Sequence, residues 1–126
     1  MAHILLIDDN EMVRETVNDM LASAGHGVEE ASDGLAGLEK FAPGKYDVVI
    51  SDIFMPGEDG IGTIRKIRRE DSVVGIIAIS GGGGGDSAED VLRITVKLGA
   101  DCTLAKPFSR AQLLAAVASA SDKHHK

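Results

Sequence analysis

One cysteine, three prolines and no tryptophan occur in 126 residues, and aromatic side chains make up only 3%. A lone thiol, Cys102, has no partner for an intrachain disulfide, which fits a reducing compartment. The scarcity of aromatic rings leaves no platform on which unpaired bases could stack. Basic residues are the minority, 13 against 20 acidic, for a formal net charge of −7. That balance disfavours nucleic acid and anionic membrane as partners. No apolar run approaches the roughly 20 residues that a membrane span requires. The opening MAHILLIDDN has no basic segment, and acids interrupt its apolar run, so it reads as a first strand and not as a signal peptide. The expected setting is the cytoplasm.

Hydrophobic residues, at 44%, are sufficient for a core, and the length suits one domain. The expectation is a single domain over residues 1–121 with a polar tail over 122–126. Apolar runs at 4–7, 28–31, 46–51, 73–79 and 102–105 read as strands. Between them lie helical patterns. Met12, Val13, Val17, Met20 and Leu21 mark the first, closed by Gly25 or Gly27. Leu35, Leu38 and Phe41 mark the second, stopped by Pro43 and Gly44. Ile61, Ile64 and Ile67 mark the third; Val91, Leu92, Val96 and Leu98 the fourth, with Ser87 and Asp90 spaced as a capping box. The fifth starts at Ser109, again with a capping partner at Gln112, and offers Leu113, Leu114 and Val117 to the core. Five strands alternating with five helices predict an α/β fold: a (βα)5, doubly wound, five-stranded parallel sheet of flavodoxin-like order 2-1-3-4-5. The most apolar strands, the first, third and fourth, belong in the centre.

In such a sheet chemistry sits at the carboxyl ends of strands. The first strand runs into Asp8 and Asp9, the third into Ser51 and Asp52, the fourth into Ser80, and the fifth into Lys106 and Pro107. Three carboxylates, a hydroxyl and an ammonium would then share one rim. Carboxylates crowded together raise one another's pKa, and a divalent cation relieves the conflict. Oxygen donors suit Mg²⁺, which uses one or two carboxylates directly. A carboxylate left over can be a nucleophile for a phosphoryl group. Each residue alone has a plainer reading. Asp8, Asp9 and Asn10 could cap the next helix; Asp52 could be a loop acid, Lys106 a solvated lysine, Ser80 a strand-end hydroxyl. Their common placement at strand ends favours a site.

ILLIDDN, DVVISDIFMPGEDG, IIAIS and AKPF, in that order and spacing, give the chain a further property. Over approximately residues 2–120 it resembles the receiver domain of two-component response regulators. The resemblance implies that Asp52 accepts a phosphoryl group from a sensor histidine kinase or a histidine phosphotransfer protein. It implies that Asp8, Asp9, Asp52 and the backbone carbonyl of Phe54 hold Mg²⁺. Ser80 would contact the phosphoryl oxygens, Lys106 would pair with them, and the Lys106–Pro107 bond would be cis. The chain departs from the family pattern at Thr103, where the family usually has Tyr or Phe, at Glu58, often apolar in the family, and in five consecutive glycines, 81–85.

The expectation is a cytoplasmic phosphoacceptor switch, a monomer or weak dimer, that catalyses only its own phosphorylation and dephosphorylation. It would signal to a downstream protein through the surface of the fourth helix, fifth strand and fifth helix. Only a short tail follows the last helix, which suits a switch without its own output domain; a cut from a longer protein reads the same. Two alternatives stay open. A pseudo-receiver that only binds partners is compatible with Thr103. A phosphatase that forms an aspartyl phosphate typically has an acid two residues after the nucleophile, where this chain has Phe54. Nucleotide binding by the glycine run is weak, since the G-x-G-x-x-G pattern from Gly81 meets Asp86 at its last position.

Overall fold

The computed structural model describes residues 1–55, 58–80, 93, 96–97 and 99–122. Its elements in chain order are β1 (His3–Ile7), α1 (Glu11–Ser23), β2 (Gly27–Ala31), α2 (Gly34–Lys40) and β3 (Val48–Asp52). Next come a short antiparallel hairpin, β4 (Phe54–Met55) with β5 (Glu58–Asp59), then α3 (Gly60–Glu70), β6 (Gly75–Ser80), β7 (Cys102–Ala105) and α4 (Arg110–Ser121). The main sheet has the order β2-β1-β3-β6-β7, with every pair parallel. With the hairpin set aside, that is the predicted 2-1-3-4-5 order. The hairpin has no counterpart among the predicted strands; two-residue strands carry no periodicity to read.

The period of two along each strand sorts side chains onto two faces. Leu5, Ile7, Val49, Ile76 and Ala78 point to one side and pack with Ile64 and Ile67 of α3 and with Phe41 and Tyr46. Ile4, Leu6, Val48, Ile50, Ile77 and Ile79 point to the other and pack with Val17 and Leu21 of α1 and Leu113 and Val117 of α4. Strands β1, β3 and β6 are therefore apolar on both faces, as their sequences suggest.

Helix starts follow their capping residues. Asn10 accepts from the N–H of Val13 at 3.1 Å and Asp33 from that of Ala36 at 2.7 Å. Ser109 and Gln112 form the predicted capping box of α4. Some expectations shift. Met12 and Leu35 fit helical spacing but are 78% and 63% exposed, because α1 and α2 each bury a narrower stripe. Leu114 is only partly buried. Tyr46 precedes β3; its ring is buried and its hydroxyl donates to Glu29 at 2.7 Å. Of the predicted fourth helix, Val96 is helical and exposed, whereas Ser87, Asp90, Val91, Leu92 and Leu98 lie outside the described residues. So do the glycines 81–85.

A clamp without a signature in the sequence closes the edge where the strands begin. The Arg68 guanidinium donates to the carbonyls of Gly99, Asp71 and Val74 and pairs with Asp101 at 3.0 Å. Asp101 also accepts from the N–H of Ile76.

Two glycines allow close approach. A Cβ on Gly75 would lie 2.6 Å from the carbonyl oxygen of Ala120 on α4. One on Gly60 would lie 2.5 Å from the Asp52 carbonyl oxygen and 2.5 Å from Ile53 Cα, so α3 starts against the backbone that carries Asp52. Those neighbours are main chain and cannot swing aside. Gly60→Ala should destabilise the fold by about 1–3 kcal/mol, as overpacking does. Urea unfolding measures it; unchanged stability would mean that the segment after Asp52 is not held against α3.

Candidate functional site

Parallel pairing brings the carboxyl ends of β1, β3, β6 and β7 to one edge, and backbone hydrogen bonds just past the strands hold the next residues in place. The N–H of Asp8 donates to Ala31 O at 3.1 Å, that of Ile53 to Ile79 O at 3.0 Å, and that of Lys106 to Ser80 O at 2.9 Å. The side chains of Asp8, Asp52 and Lys106 converge there. Lys106 Nζ lies 2.9 Å from Asp52 Oδ2 and 3.5 Å from Asp8 Oδ2. Asp9 joins them: one carboxylate oxygen from each of Asp8, Asp9 and Asp52 lies within 4.8 Å of the others. Asp8 has no exposed surface and Asp52 almost none, whereas Asp9 faces solvent.

Neighbours orient Asp8. Its Oδ1 accepts from the N–H of Asn10 at 2.9 Å, and its carbonyl accepts from Arg14 at 2.8 Å. The sequence marks Asn10 only as a cap and gives no role to Arg14. A backbone donor has no signature of its own, and the only hint of Arg14 is its place one turn into α1. Ser80 ends β6 on the same edge and is buried. Phe54 opens the hairpin two residues after Asp52. The Lys106–Pro107 bond is cis. Thr103 is half-buried on β7, opposite Ala78.

Electrostatics at this edge are unbalanced. Burial pushes the Asp8 carboxyl above its ordinary range; the Asn10 N–H pulls it down, Asp52 pushes it up again and Lys106 opposes that. Burial alone would lower Lys106, but its hydrogen bond to Asp52 and the charges of Asp52 and Asp8 outweigh this and hold the ammonium more firmly charged than in water. Among the described residues, three carboxylates face one ammonium. Asp8 Oδ2 and Ser80 Oγ are both buried, and neither takes part in a hydrogen bond among the described residues. A pocket of hard oxygen donors with excess negative charge and an unsatisfied carboxylate oxygen fits a small divalent cation such as Mg²⁺. An unsatisfied buried hydroxyl fits a site that also receives a polar group from outside.

Comparison with known proteins agrees with this geometry. Residues 4–118 match the family model described as response regulator receiver domain. The chain belongs to this family. The receiver domain is 36% identical over 115 residues to the transcriptional regulatory protein CseB of Streptomyces coelicolor, covering 91% of this chain and 47% of that protein. It is 36% identical to the transcriptional regulatory protein FixJ of Bradyrhizobium diazoefficiens, covering 94% and 56%. The chain thus spans about half the length of these relatives. Among solved structures, it matches a response regulator receiver domain protein from Clostridium thermocellum with a TM-score of 0.88, 29% identity and coverage of 99% and 98%. It also matches the chemotaxis protein CheY4 of Vibrio cholerae with a TM-score of 0.81, 31% identity and coverage of 95% and 98%.

The sign of the Asp8 shift sets a test. The folded-state pKa is raised, so ionised Asp8 weighs against folding at neutral pH. The penalty fades as pH falls through the folded value and is gone below the unfolded one. Without divalent cations, Asp8→Asn should raise the thermal midpoint by a few degrees at pH 7, and the gain should vanish as pH approaches the ordinary carboxylate range. Added Mg²⁺ should stabilise wild type much more than the variant. Thermal scans across pH decide it; an unchanged or lowered midpoint at pH 7 would refute a destabilising Asp8 charge.

Proposed function

We propose that this receiver domain is a phosphoacceptor switch in which Asp52 takes a phosphoryl group from a phosphohistidine. The donor is a sensor histidine kinase or a histidine phosphotransfer protein, and the reaction takes place in the cytoplasm. The observation that carries the reading is the position of Lys106 Nζ, 2.9 Å from Asp52 and 3.5 Å from Asp8 at a shared strand edge. In the transfer an oxygen of the Asp52 carboxylate forms a bond to phosphorus as the P–N bond breaks. The leaving imidazole nitrogen keeps the electron pair. Phosphoryl transfer depends chiefly on positioning and on neutralising the equatorial oxygens. Lys106 contributes its ammonium to them, and Ser80 Oγ, buried and unsatisfied among the described residues, offers a hydrogen bond. Asp8, Asp9, Asp52 and the Phe54 carbonyl are the residues that would hold Mg²⁺. When bound, the ion supplies the positive charge that lets anionic donor and acceptor approach. The domain catalyses only its own phosphorylation and dephosphorylation.

The output is a change at the surface formed by the segment before β7, by β7 itself and by α4, where a downstream protein would bind. Thr103 provides no aromatic ring to swing. A shift at Ser80 reaches β7 instead through the pairing of Ser80 with Ala105 and the hydrogen bond from Lys106 N–H to Ser80 O.

Incubation with Mg²⁺ and a small acyl phosphate, followed by intact-mass spectrometry, tests the chemistry. Wild type should gain one phosphoryl group and Asp52→Asn none. Equal labelling of both would place the acceptor elsewhere. If neither labels although Mg²⁺ binds, and no phosphohistidine donor labels wild type either, the domain is a pseudo-receiver.

A further inference from the structure

Helix α3 reads GIGTIRKIRRE and buries Thr63, Ile64 and Ile67. Its four cations divide by direction. Arg68 is committed inward to the clamp on Gly99, Val74 and Asp101. Arg65, Lys66 and Arg69 are exposed, and none has an ion-pair partner among the described residues. Arg65 and Arg69 are one turn apart, and Lys66 and Arg69 are neighbours at the i,i+3 spacing; like charges so placed weaken a helix. This unpaired cluster persists in a chain with a surplus of seven acids. Glu70 adjoins Arg69 and Glu39 lies on α2, yet neither forms an ion pair with these cations among the described residues.

The cluster borders a groove. A hollow of about 370 Å³ between α2 and α3 is lined by Leu38, Lys66, Arg69 and Glu70. Leu35, one turn before Leu38 on the same face of α2, is 63% exposed. Leu38 thus lies beside Lys66 and Arg69, with Leu35 exposed one turn away. Lys66 and Arg69 lie about 9–14 Å along the helix axis from Gly60, the residue that touches the Asp52 backbone. The groove is therefore apart from the phosphoryl site.

We propose that the α2–α3 groove docks an acidic segment of a partner protein, with leucine-like side chains on Leu35 and Leu38 and carboxylates on Lys66 and Arg69. Charge complementarity selects that occupant. A phosphate backbone would pair the cations but has nothing to place on the leucines. An anionic bilayer would also pair the cations, but a concave hollow suits an inserted side chain better than a flat surface. The proposal does not rest on phosphorylation of Asp52.

The test is a nuclear magnetic resonance titration of the isotope-labelled domain. The probe is a synthetic peptide of glutamates with leucines at helical spacing; the same peptide with glycines for leucines, and a short DNA duplex, are the comparisons. Saturable shifts confined to Leu35, Leu38, Lys66 and Arg69 are expected with the leucine peptide only. Binding should weaken at least tenfold in Lys66→Glu/Arg69→Glu and, separately, in Leu35→Ser. Both variants should keep the wild-type spectrum elsewhere and wild-type labelling by acyl phosphate, which separates this result from any failure at Asp52. No saturable shift, or equal binding by the glycine peptide or the duplex, would overturn the proposal.

Discussion

Asp8 and Asp52 end neighbouring strands with almost no solvent contact, and one ammonium, Lys106 Nζ, stands within 3.5 Å of both. Removing ions from water costs several kcal/mol each after relaxation. One cation cannot offset that for two buried carboxylates and a third, Asp9, beside them. The arrangement exists because the rest of the fold enforces it. Strands β1, β3 and β6 are apolar on both faces and lock the sheet. Backbone bonds past each strand end hold Asp8, Ile53 and Lys106 in register. Gly60 brings α3 against the Asp52 main chain. The core stabilises a constellation that by itself would fly apart, and burial, with the Asp52 charge beside it, pushes the Asp8 carboxyl above its ordinary range. Such a site is poised for added positive charge, and then for the anion that the charge attracts.

The five strands of the main sheet, their order and the meeting of Asp8, Asp9, Asp52 and Lys106 at one edge are legible in the sequence because they arise from repeating signals. Buried parallel strands show as continuous runs such as VVIS, and in β1 and β3 an acid, Asp8 or Asp52, marks the carboxyl end. Asp8, Asp52 and Lys106 are 44 and 54 residues apart in the chain, yet topology alone brings them together. The remainder depends on tertiary partners. Met12 and Leu35 satisfy helical periodicity, but periodicity does not say how wide a stripe the sheet will cover. Arg68 and Asp101, Tyr46 and Glu29, and Arg14 with the Asp8 carbonyl are pairings between segments that carry no local pattern.

The two edges of the sheet are built to different ends. Where strands begin, the clamp is closed: Arg68 satisfies three carbonyls and Asp101, and Asp101 in turn receives the Ile76 N–H. Where strands end, Asp8 Oδ2 and Ser80 Oγ have no hydrogen bond among the described residues. Buried polar groups are normally satisfied, so unsatisfied ones at one edge only point to a site that is completed from outside. A closed clamp at one end gives the open end a rigid base.

Consistency between local and global preferences is what makes a sequence fold to one structure, and exceptions concentrate where function is held. By that standard this domain has two exceptions of opposite sign. At the strand ends anions are gathered beyond what Lys106 can balance. On α3, Arg65, Lys66 and Arg69 are gathered with no anion paired to them among the described residues. Rearranging a few surface acids would relieve the second, and the chain has acids to spare, yet Glu15, Asp19 and Glu39 lie on other helices or faces. The difference between the two sites is burial. Asp8 and Asp52 are buried, so their imbalance weighs on the fold and favours a small cation there. The cations are solvated, so theirs costs little and persists until a macromolecular surface of opposite charge covers it.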